Sequence, residues 1–187
     1  WAYRTGGKIY GTPAVWKKMV VVGSSDGNIY GLDAGNGKEK WRVRAAKAVL
    51  GSPVVNHGVA FIGSSDGVFR AIDVVSGKIR WTFNEVAGYV SAKPTLYNGL
   101  VIFGSWGNGF YALNQQTGKL VWSWSNGQSN RMLSAAACYP VVQHGRLYLV
   151  APDRYMTCLN AKTGAVIWRN KIDKVRVRES MGISKDG

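Results

Sequence analysis

The chain contains 187 residues, and its 24 lysines and arginines against 10 aspartates and glutamates give it a formal charge of +14. The composition, 46% hydrophobic with only two cysteines, excludes a disordered basic tail and a scaffold held by disulfides. No apolar run approaches the ~18 residues of a membrane-spanning helix, so no transmembrane segment is expected. The positive charge favours an anionic partner.

A repeat of about 40 residues organises the chain. Each copy ends in a glycine followed four residues later by a tryptophan, and these tryptophans are spaced by 40, 41 and 46 residues. A proline recurs in the same rhythm, at Pro13, Pro53, Pro94 and Pro140. Because Trp1 precedes Pro13 by the same interval that separates Trp41 from Pro53, we expect Trp1 to close an earlier repeat.

Four strands are predicted within each repeat. In the first copy they lie around Pro13 (residues 11–15), over the apolar run Met19–Val22, over Asn28–Asp33, and over the segment containing Trp41. An unbroken apolar second strand is typical of a strand covered on both faces. Turn sequences such as Ser-Ser-Asp-Gly and Asn-Gly separate the strands, and no segment has helical periodicity.

Four antiparallel strands per repeat predict an all-β fold, a β-propeller built from four-stranded blades. The expected blades cover residues 10–44, 50–84, 91–124 and 137–171. Residues 1–4 are predicted as the outer strand of a preceding blade and residues 178–187 as the start of a next one. The whole of 1–187 is therefore expected to be a single propeller segment, about four blades of a seven- or eight-bladed ring, although a closed four-bladed ring is an alternative.

A short motif spans the third and fourth strands of every copy. Its residues are Asp33, Gly37, Trp41, Asp73, Gly77, Trp81, Asn114, Gly118, Trp122, Asn160, Gly164 and Trp168. The pattern resembles Ala-x-Asp-x-x-x-Gly-x-x-x-Trp, the tryptophan-docking signature of the PQQ-type, quinoprotein-like propeller repeats. Because asparagine replaces aspartate at positions 114 and 160, the slot requires a hydrogen-bond acceptor and not an acid, and catalysis by these residues is not expected.

The resemblance covers nearly the whole chain. It is specific for the propeller fold but not for any one function. Such repeats occur in quinoprotein alcohol and glucose dehydrogenases, in the lipoprotein of the outer-membrane barrel-assembly machine, and in propellers fused to kinases or phosphoesterases. The resemblance also implies a periplasmic or otherwise extracytoplasmic location. The adjacent pair of cysteines that many quinoprotein alcohol dehydrogenases place at the cofactor is missing here, which weakens a PQQ assignment.

Departures from the repeat mark a candidate binding rim. The link from Trp122 to Pro140 carries an extra loop, Ser125–Ser134, and the second-to-third strand turns of the last two repeats lack Ser-Asp-Gly. Loops of these classes share one face of a propeller. An aromatic and arginine-rich rim suits an anionic or sugar-like ligand or an acidic protein loop, with loop drift as the alternative. The candidate ligand-binding residues are Trp106, Asn130, Arg131, Arg154, Tyr155, Arg176, Arg178 and Glu179.

The remaining reactive side chains have structural interpretations. Cys138 and Cys158 occupy slots that hold small residues in other repeats, and their expected separation of roughly 9–10 Å is too large for a disulfide. His57 and His144 fall in hairpin turns. Alternating cations on the fourth strands are typical of edges protected against sheet pairing, with a docking stripe as the alternative. One such group is Lys40, Arg42 and Arg44. A denser tract runs from the last fourth strand into the expected start of the next blade: Arg169, Lys171, Lys174, Arg176 and Arg178.

The leading hypothesis is a non-catalytic binding or scaffolding platform, with no catalytic residues, no metal and no cofactor. The first alternative is a segment of a quinoprotein dehydrogenase using PQQ and Ca²⁺, for which only Glu179 is a candidate metal ligand. The second alternative is a sensor propeller attached to a kinase or phosphoesterase. Exposed blade faces predict self-association, whereas the absence of a reader motif argues against nucleic acid.

Overall fold

The computed structural model describes residues 1–107, 109–125, 139–150 and 155–171. Across these ranges the regular structure is entirely β, with sixteen strands in four four-stranded antiparallel sheets, each sheet taking its strands in sequence order. The predicted all-β fold built from four-stranded blades is therefore confirmed. No helix in the described ranges has the length and apolar character needed to span a bilayer. The chain divides into two compact units, residues 1–93 and 94–187.

The first unit holds two sheets. The strands of the first sheet are β1 (Ala14–Trp16), β2 (Met19–Gly23), β3 (Asn28–Asp33) and β4 (Glu39–Arg44). Those of the second sheet are β5 (Val54–Asn56), β6 (Val59–Gly63), β7 (Phe69–Asp73) and β8 (Ile79–Phe83). The two sheets pack face to face, because side chains such as Val21 and Ile29 share one buried cluster with Ile62 and Ile72. The first strands, β1 and β5, also contact each other.

The second unit repeats this arrangement. Its third sheet contains β9 (Thr95–Tyr97), β10 (Leu100–Gly104), β11 (Gly109–Asn114) and β12 (Leu120–Ser125). Its fourth sheet contains β13 (Val141–Gln143), β14 (Arg146–Val150), β15 (Tyr155–Asn160) and β16 (Val166–Lys171). Ile102 and Phe110 of the third sheet pack with Leu149 and Leu159 of the fourth. The second strands β2, β6 and β10 are buried nearly throughout because each lies between neighbours in its sheet and beneath another sheet.

The predicted position of the first strands is wrong. The first strands begin after the repeat proline instead of surrounding it, as β1 shows by starting at Ala14, because proline has no N–H to donate to a ladder. Residues 1–4 have no strand partner among the described residues, so their assignment to a preceding blade stays a prediction. Tyr3 covers the first sheet, with its ring centroid 5.6 Å from that of Tyr30. Residues 178–187 lie outside the described residues.

The fourth strand of every sheet carries a bulge immediately before its tryptophan. In the first sheet Gly31 pairs with Trp41 but Leu32 pairs with Glu39, so Lys40 is the extra residue. A bulge re-aims the side chain beside it and disfavours pairing along an exposed edge. The same shift occurs in the other three sheets.

The residue opposite each tryptophan must be small. A Cβ on Gly31 would lie 2.0 Å from the Trp41 indole. The equivalent positions are occupied by Ala71, Ala112 and Cys158, each paired with its own tryptophan. Cys158 is a buried free thiol whose pKa is raised by burial, which agrees with its interpretation as a small apolar residue. Cys138 lies outside the described residues.

Indole side chains connect neighbouring sheets within each unit. Trp41 Nε1 donates to the Val74 carbonyl at 2.8 Å, and Trp122 Nε1 donates to the Ala161 carbonyl at 3.1 Å. Trp1 makes the equivalent bond to the Ala34 carbonyl at 2.9 Å, so it occupies the position of a repeat-closing tryptophan. In all three cases the ring lies against the motif glycine of the sheet that it contacts: Gly77, Gly164 and Gly37.

A pair of glycine substitutions isolates this contact. Gly77 and Gly99 have left-handed φ angles of 72° and 77°, but only a Cβ on Gly77 would meet an indole, 2.6 Å from Trp41 Cγ. We expect Gly99→Ala to cost about 1–2 kcal/mol for backbone strain alone. Gly77→Ala should cost at least about 2 kcal/mol more, because the ring must move and its hydrogen bond is weakened. Urea unfolding measures both; equal losses would contradict a stabilising role for the indole contact.

Candidate functional site

The two ends of each sheet differ in their turns. We call the lower end the one that carries the first-to-second and third-to-fourth strand turns, and the upper end the one that carries the second-to-third turns and the links between sheets. At the lower end the turns are tied together by backbone bonds, such as Ala34 N to Lys18 O at 2.8 Å and Val74 N to Gly58 O at 2.9 Å. The described members of the predicted rim, Trp106 and Tyr155, lie at the upper end.

The upper end of the second unit contains an arginine between two aromatic rings. The Arg169 guanidinium carbon lies 4.7 Å from the Tyr155 ring centroid and 5.7 Å from that of Trp124. Arg169 Nε also donates to Thr157 Oγ1 at 3.3 Å. We call Trp124, Tyr155 and Arg169 the aromatic–arginine stack. Cation–π contacts of this kind contribute about 0.5–2 kcal/mol and restrict the motion of the arginine side chain.

Strand register creates the stack. Arg169 on β16 pairs with Thr157 on β15, and Tyr155 lies two residues away on the same face of that strand. Trp124 comes from the neighbouring sheet, where it pairs with Phe110 and lies one residue before the end of β12. The stack therefore spans the third and fourth sheets of one unit.

Trp106 lies at the same end of the third sheet as Trp124. It occupies the turn between β10 and β11, and β11 begins at Gly109, which pairs with Ser125 beside Trp124. Its side chain is 37% exposed, which places it at the surface of this end. Trp106 is thus a second tryptophan at the end of the third sheet that carries Trp124.

Only two of the eight predicted rim residues lie among the residues that the structure describes. Trp106 and Tyr155 are described, and both lie at the upper end of the second unit. The other six predicted residues lie outside the described residues: Asn130, Arg131, Arg154, Arg176, Arg178 and Glu179. Arg169 and Trp124 were not predicted for the rim, although Trp124 breaks the repeat, because the equivalent residues are Val43 and Phe83.

Acids at the upper end of the first unit have structural partners. The Asp66 carboxylate accepts from Arg70 at 2.7 Å, Ser64 Oγ at 2.5 Å, Val68 N at 3.0 Å and Ala46 N at 3.0 Å. Ala46 lies in the link that arrives from the first sheet, so this turn clasps the link. Burial alone would raise the pKa of Asp66, but the hydrogen bonds led by that from Arg70 outweigh it and hold the pKa well below its usual range.

In the first sheet the equivalent aspartate is held by a neutral side chain instead of an arginine. Asp26 accepts from the backbone N–H of Asn28 at 2.8 Å and from the Tyr30 hydroxyl at 2.6 Å. Burial would raise the pKa of Asp26, but these hydrogen bonds lower it overall. Tyr30 thus occupies the position that Arg70 fills in the second sheet.

The third-strand Asp or Asn of the repeated motif accepts the same two backbone hydrogen bonds whether it is an acid or an amide. Asp33 Oδ1 accepts from the backbone N–H groups of residues 35 and 36 at 2.9 and 3.2 Å. Asn114 Oδ1 accepts from residues 116 and 117 at 2.9 and 3.0 Å. The hydrogen bond from Arg80, reinforced by the backbone N–H of Ser76, lowers the pKa of Asp73 to about 2. These acids shape turns and are not poised to exchange protons near neutral pH.

The aspartates of the described ranges are occupied by partners within the fold. Within residues 1–107, 109–125, 139–150 and 155–171, no three histidine, cysteine or acidic side chains gather as metal ligands. Asp26, Asp33, Asp66 and Asp73 are each held by donors of their own turns. A calcium ion would have to displace those donors to use these carboxylates.

Two matched substitutions test the clasp at Asp66. Asp66→Asn leaves Arg70, which has only donors, buried without its counter-charge, and should cost about 3–5 kcal/mol at neutral pH. Asp26→Asn should cost about 1 kcal/mol, because the Tyr30 hydroxyl can accept as well as donate. Urea unfolding at pH 7 compares the two variants; equal costs would contradict the assignment.

The pH dependence of the clasp has a defined sign. Because the folded-state pKa of Asp66 is depressed, its stabilisation is fully present above the unfolded-state pKa, near 3.8, and is lost as the pH falls through the lower folded value. The difference between the native chain and Asp66→Asn should stay constant from pH 7 to about pH 5 and shrink in stronger acid. A difference that shrinks between pH 7 and 5 would contradict this account.

Comparison with known proteins gives one family and three informative structures. The sequence profile of the family described as outer membrane protein assembly factor BamB matches residues 1–125 and 90–185. No curated protein matches the chain significantly by sequence. The crystal structure of BamB from Moraxella catarrhalis is similar with a TM-score of 0.79 and 20% identity over 92% of this chain and 56% of that one.

The other two structures show how widely the fold is used. The computationally designed Ika8 protein is similar with a TM-score of 0.77 and 16% identity, over 92% of this chain and 52% of that one. The quinohemoprotein alcohol dehydrogenase ADHIIG from Pseudomonas putida HK5 has a TM-score of 0.76 and 18% identity, over 90% of this chain and 35% of that one. At such identities the likeness establishes the fold alone. The chain spans 56% of the length of the BamB structure and 35% of the length of the alcohol dehydrogenase structure.

Proposed function

Since this chain belongs to the PQQ-like repeat family described as outer membrane protein assembly factor BamB, we propose that it is a non-catalytic propeller segment that serves as a binding or scaffolding platform. The observation that carries the proposal is the aromatic–arginine stack at the upper end of the second unit. Its ligand is a partner protein or an anionic or sugar-like group. A location in the periplasm or another extracytoplasmic compartment is part of the same proposal, and the family match supports it.

The chemistry of the stack supports recognition of an anion. A guanidinium packed over aromatic rings has restricted motion, and arginine is the cation that best matches a carboxylate, sulfate or phosphate. The rings of Trp124 and Tyr155, with Trp106 at the same end, add apolar contact area. Aromatic residues and arginine are the side chains that most often dominate binding energy at protein interfaces.

The acids of the first unit support a role without catalysis. General acid–base catalysis requires a group whose pKa lies near the working pH. Asp26, Asp66 and Asp73 instead have lowered pKa values, and each is occupied by donors that shape its turn. The charge of these carboxylates is used within the fold.

Site-specific photocrosslinking in the native host tests the platform. A benzoylphenylalanine at position 106 should give a discrete adduct with one partner, whereas the same group at Val75, an exposed residue at the lower end of the first unit, should not give that adduct. Adding Arg169→Gln should reduce the yield at position 106 about tenfold, since loss of a charge-assisted contact costs about 1.5 kcal/mol or more.

The control for folding is Arg80→Gln, which removes a guanidinium paired with Asp73 away from the proposed site. This variant should crosslink at position 106 as the native chain does. No adduct at position 106, or an adduct indifferent to Arg169→Gln, would contradict the platform.

Two other functions remain as alternatives. A quinoprotein dehydrogenase segment is favoured only by the structural likeness to ADHIIG, which covers 35% of that enzyme. Addition of PQQ with Ca²⁺ and an assay of dye reduction by alcohols or aldoses distinguishes it; turnover would overturn the non-catalytic proposal. A sensor propeller attached to a kinase or phosphoesterase would be recognised from the reading frame that encodes the chain.

A further inference from the structure

The lower end of the first unit concentrates lysines on its turns. Lys17 and Lys18 form the turn between β1 and β2, and Lys38 and Lys78 end the third-to-fourth strand turns of the two sheets. All four side chains are exposed. Because Trp41 of the first sheet bonds to Val74 in the turn of the second, these turns belong to one end of one packed unit.

The carboxylates at this end do not neutralise those lysines. Asp33 uses one oxygen for its own turn and faces Lys40 at 3.5 Å with the other. Asp73 does the same with Arg80 at 2.7 Å. Lys17 lies over the Trp16 ring, 4.5 Å from its centroid. Among the described residues, the ion pairs at this end therefore leave four lysine charges uncompensated.

The kind of cation favours a particular partner. Arg80, which could grip a carboxylate through two N–H groups, is already paired within the fold. The unpaired charges are lysines on separate turns, hydrated point charges on long flexible stems. Such groups supply charge without a fixed hydrogen-bonding geometry, which suits a fluid, laterally mobile array of anionic headgroups.

We propose that the lower end of the first unit docks on an anionic lipid surface through Lys17, Lys18, Lys38 and Lys78. The contact is electrostatic and peripheral, with the headgroup phosphates as counter-charges. It uses the end of the sheets opposite to the upper end. A lipid surface and a ligand at an upper end are therefore bound by different turns.

Cosedimentation of the full chain with vesicles tests this inference. The chain should bind vesicles of phosphatidylcholine mixed with phosphatidylglycerol, should not bind phosphatidylcholine alone, and should be released as the salt is raised. Each lysine near an anionic membrane contributes about fivefold to partitioning. Lys38→Gln combined with Lys78→Gln should therefore lower binding about twenty-five-fold.

A matched variant separates the lower end from net charge. Lys8→Gln combined with Lys47→Gln removes the same charge from exposed residues near the upper turns, where Lys8 bonds to Ser25 and the Lys47 backbone adjoins Gly27. This control should bind vesicles within about twofold of the native chain. An equal loss in both variants, or equal binding to neutral vesicles, would overturn the proposal. Binding to soluble polyglutamate without binding to anionic vesicles would also overturn it, in favour of an acidic protein partner.

Discussion

The interaction on which each unit depends is the indole that leaves its own sheet and bonds to the next. Trp41 and Trp122 each place a large ring between two sheets while their N–H groups satisfy a carbonyl of the neighbouring turn. A lone four-stranded sheet would expose two apolar faces, so stacking supplies most of its stability. The indole adds direction to that stacking, because one hydrogen bond fixes which turn it meets.

Several features of the repeat follow from accommodating this ring. The residue opposite it must be small, as Gly31 and Cys158 are, and a bulge before it turns the side chain toward the next sheet. The acceptor at Asp33 or Asn160 shapes the turn that offers both the carbonyl and the glycine. Because these constraints act on strands and lower turns, the upper turns can vary. One therefore holds a buried Asp66–Arg70 pair while another carries Trp106.

The fold could be predicted from the sequence because its signals repeat: a proline, an apolar strand, an acceptor and a tryptophan in fixed order. The candidate site could be predicted only where it broke that repeat, as Trp106 and Tyr155 do. Arg169 belonged to a run of cations that any edge strand could carry. Its assignment to the candidate site depends on its contact with Trp124, which lies in another sheet. The strand pattern does not predict which side chains of neighbouring sheets contact each other. The clasp of Asp66 on Ala46 was missed for the same reason.

Hydrogen exchange across the first unit tests most directly whether the indole couples the sheets. Trp41→Leu removes the N–H donor and most of the ring while keeping an apolar side chain at the position. The account predicts that amides of β4 and of the turn at residues 73–77, in the other sheet, lose protection together, with the third sheet unchanged. Loss confined to β4, with residues 73–77 as protected as in the native chain, would contradict it.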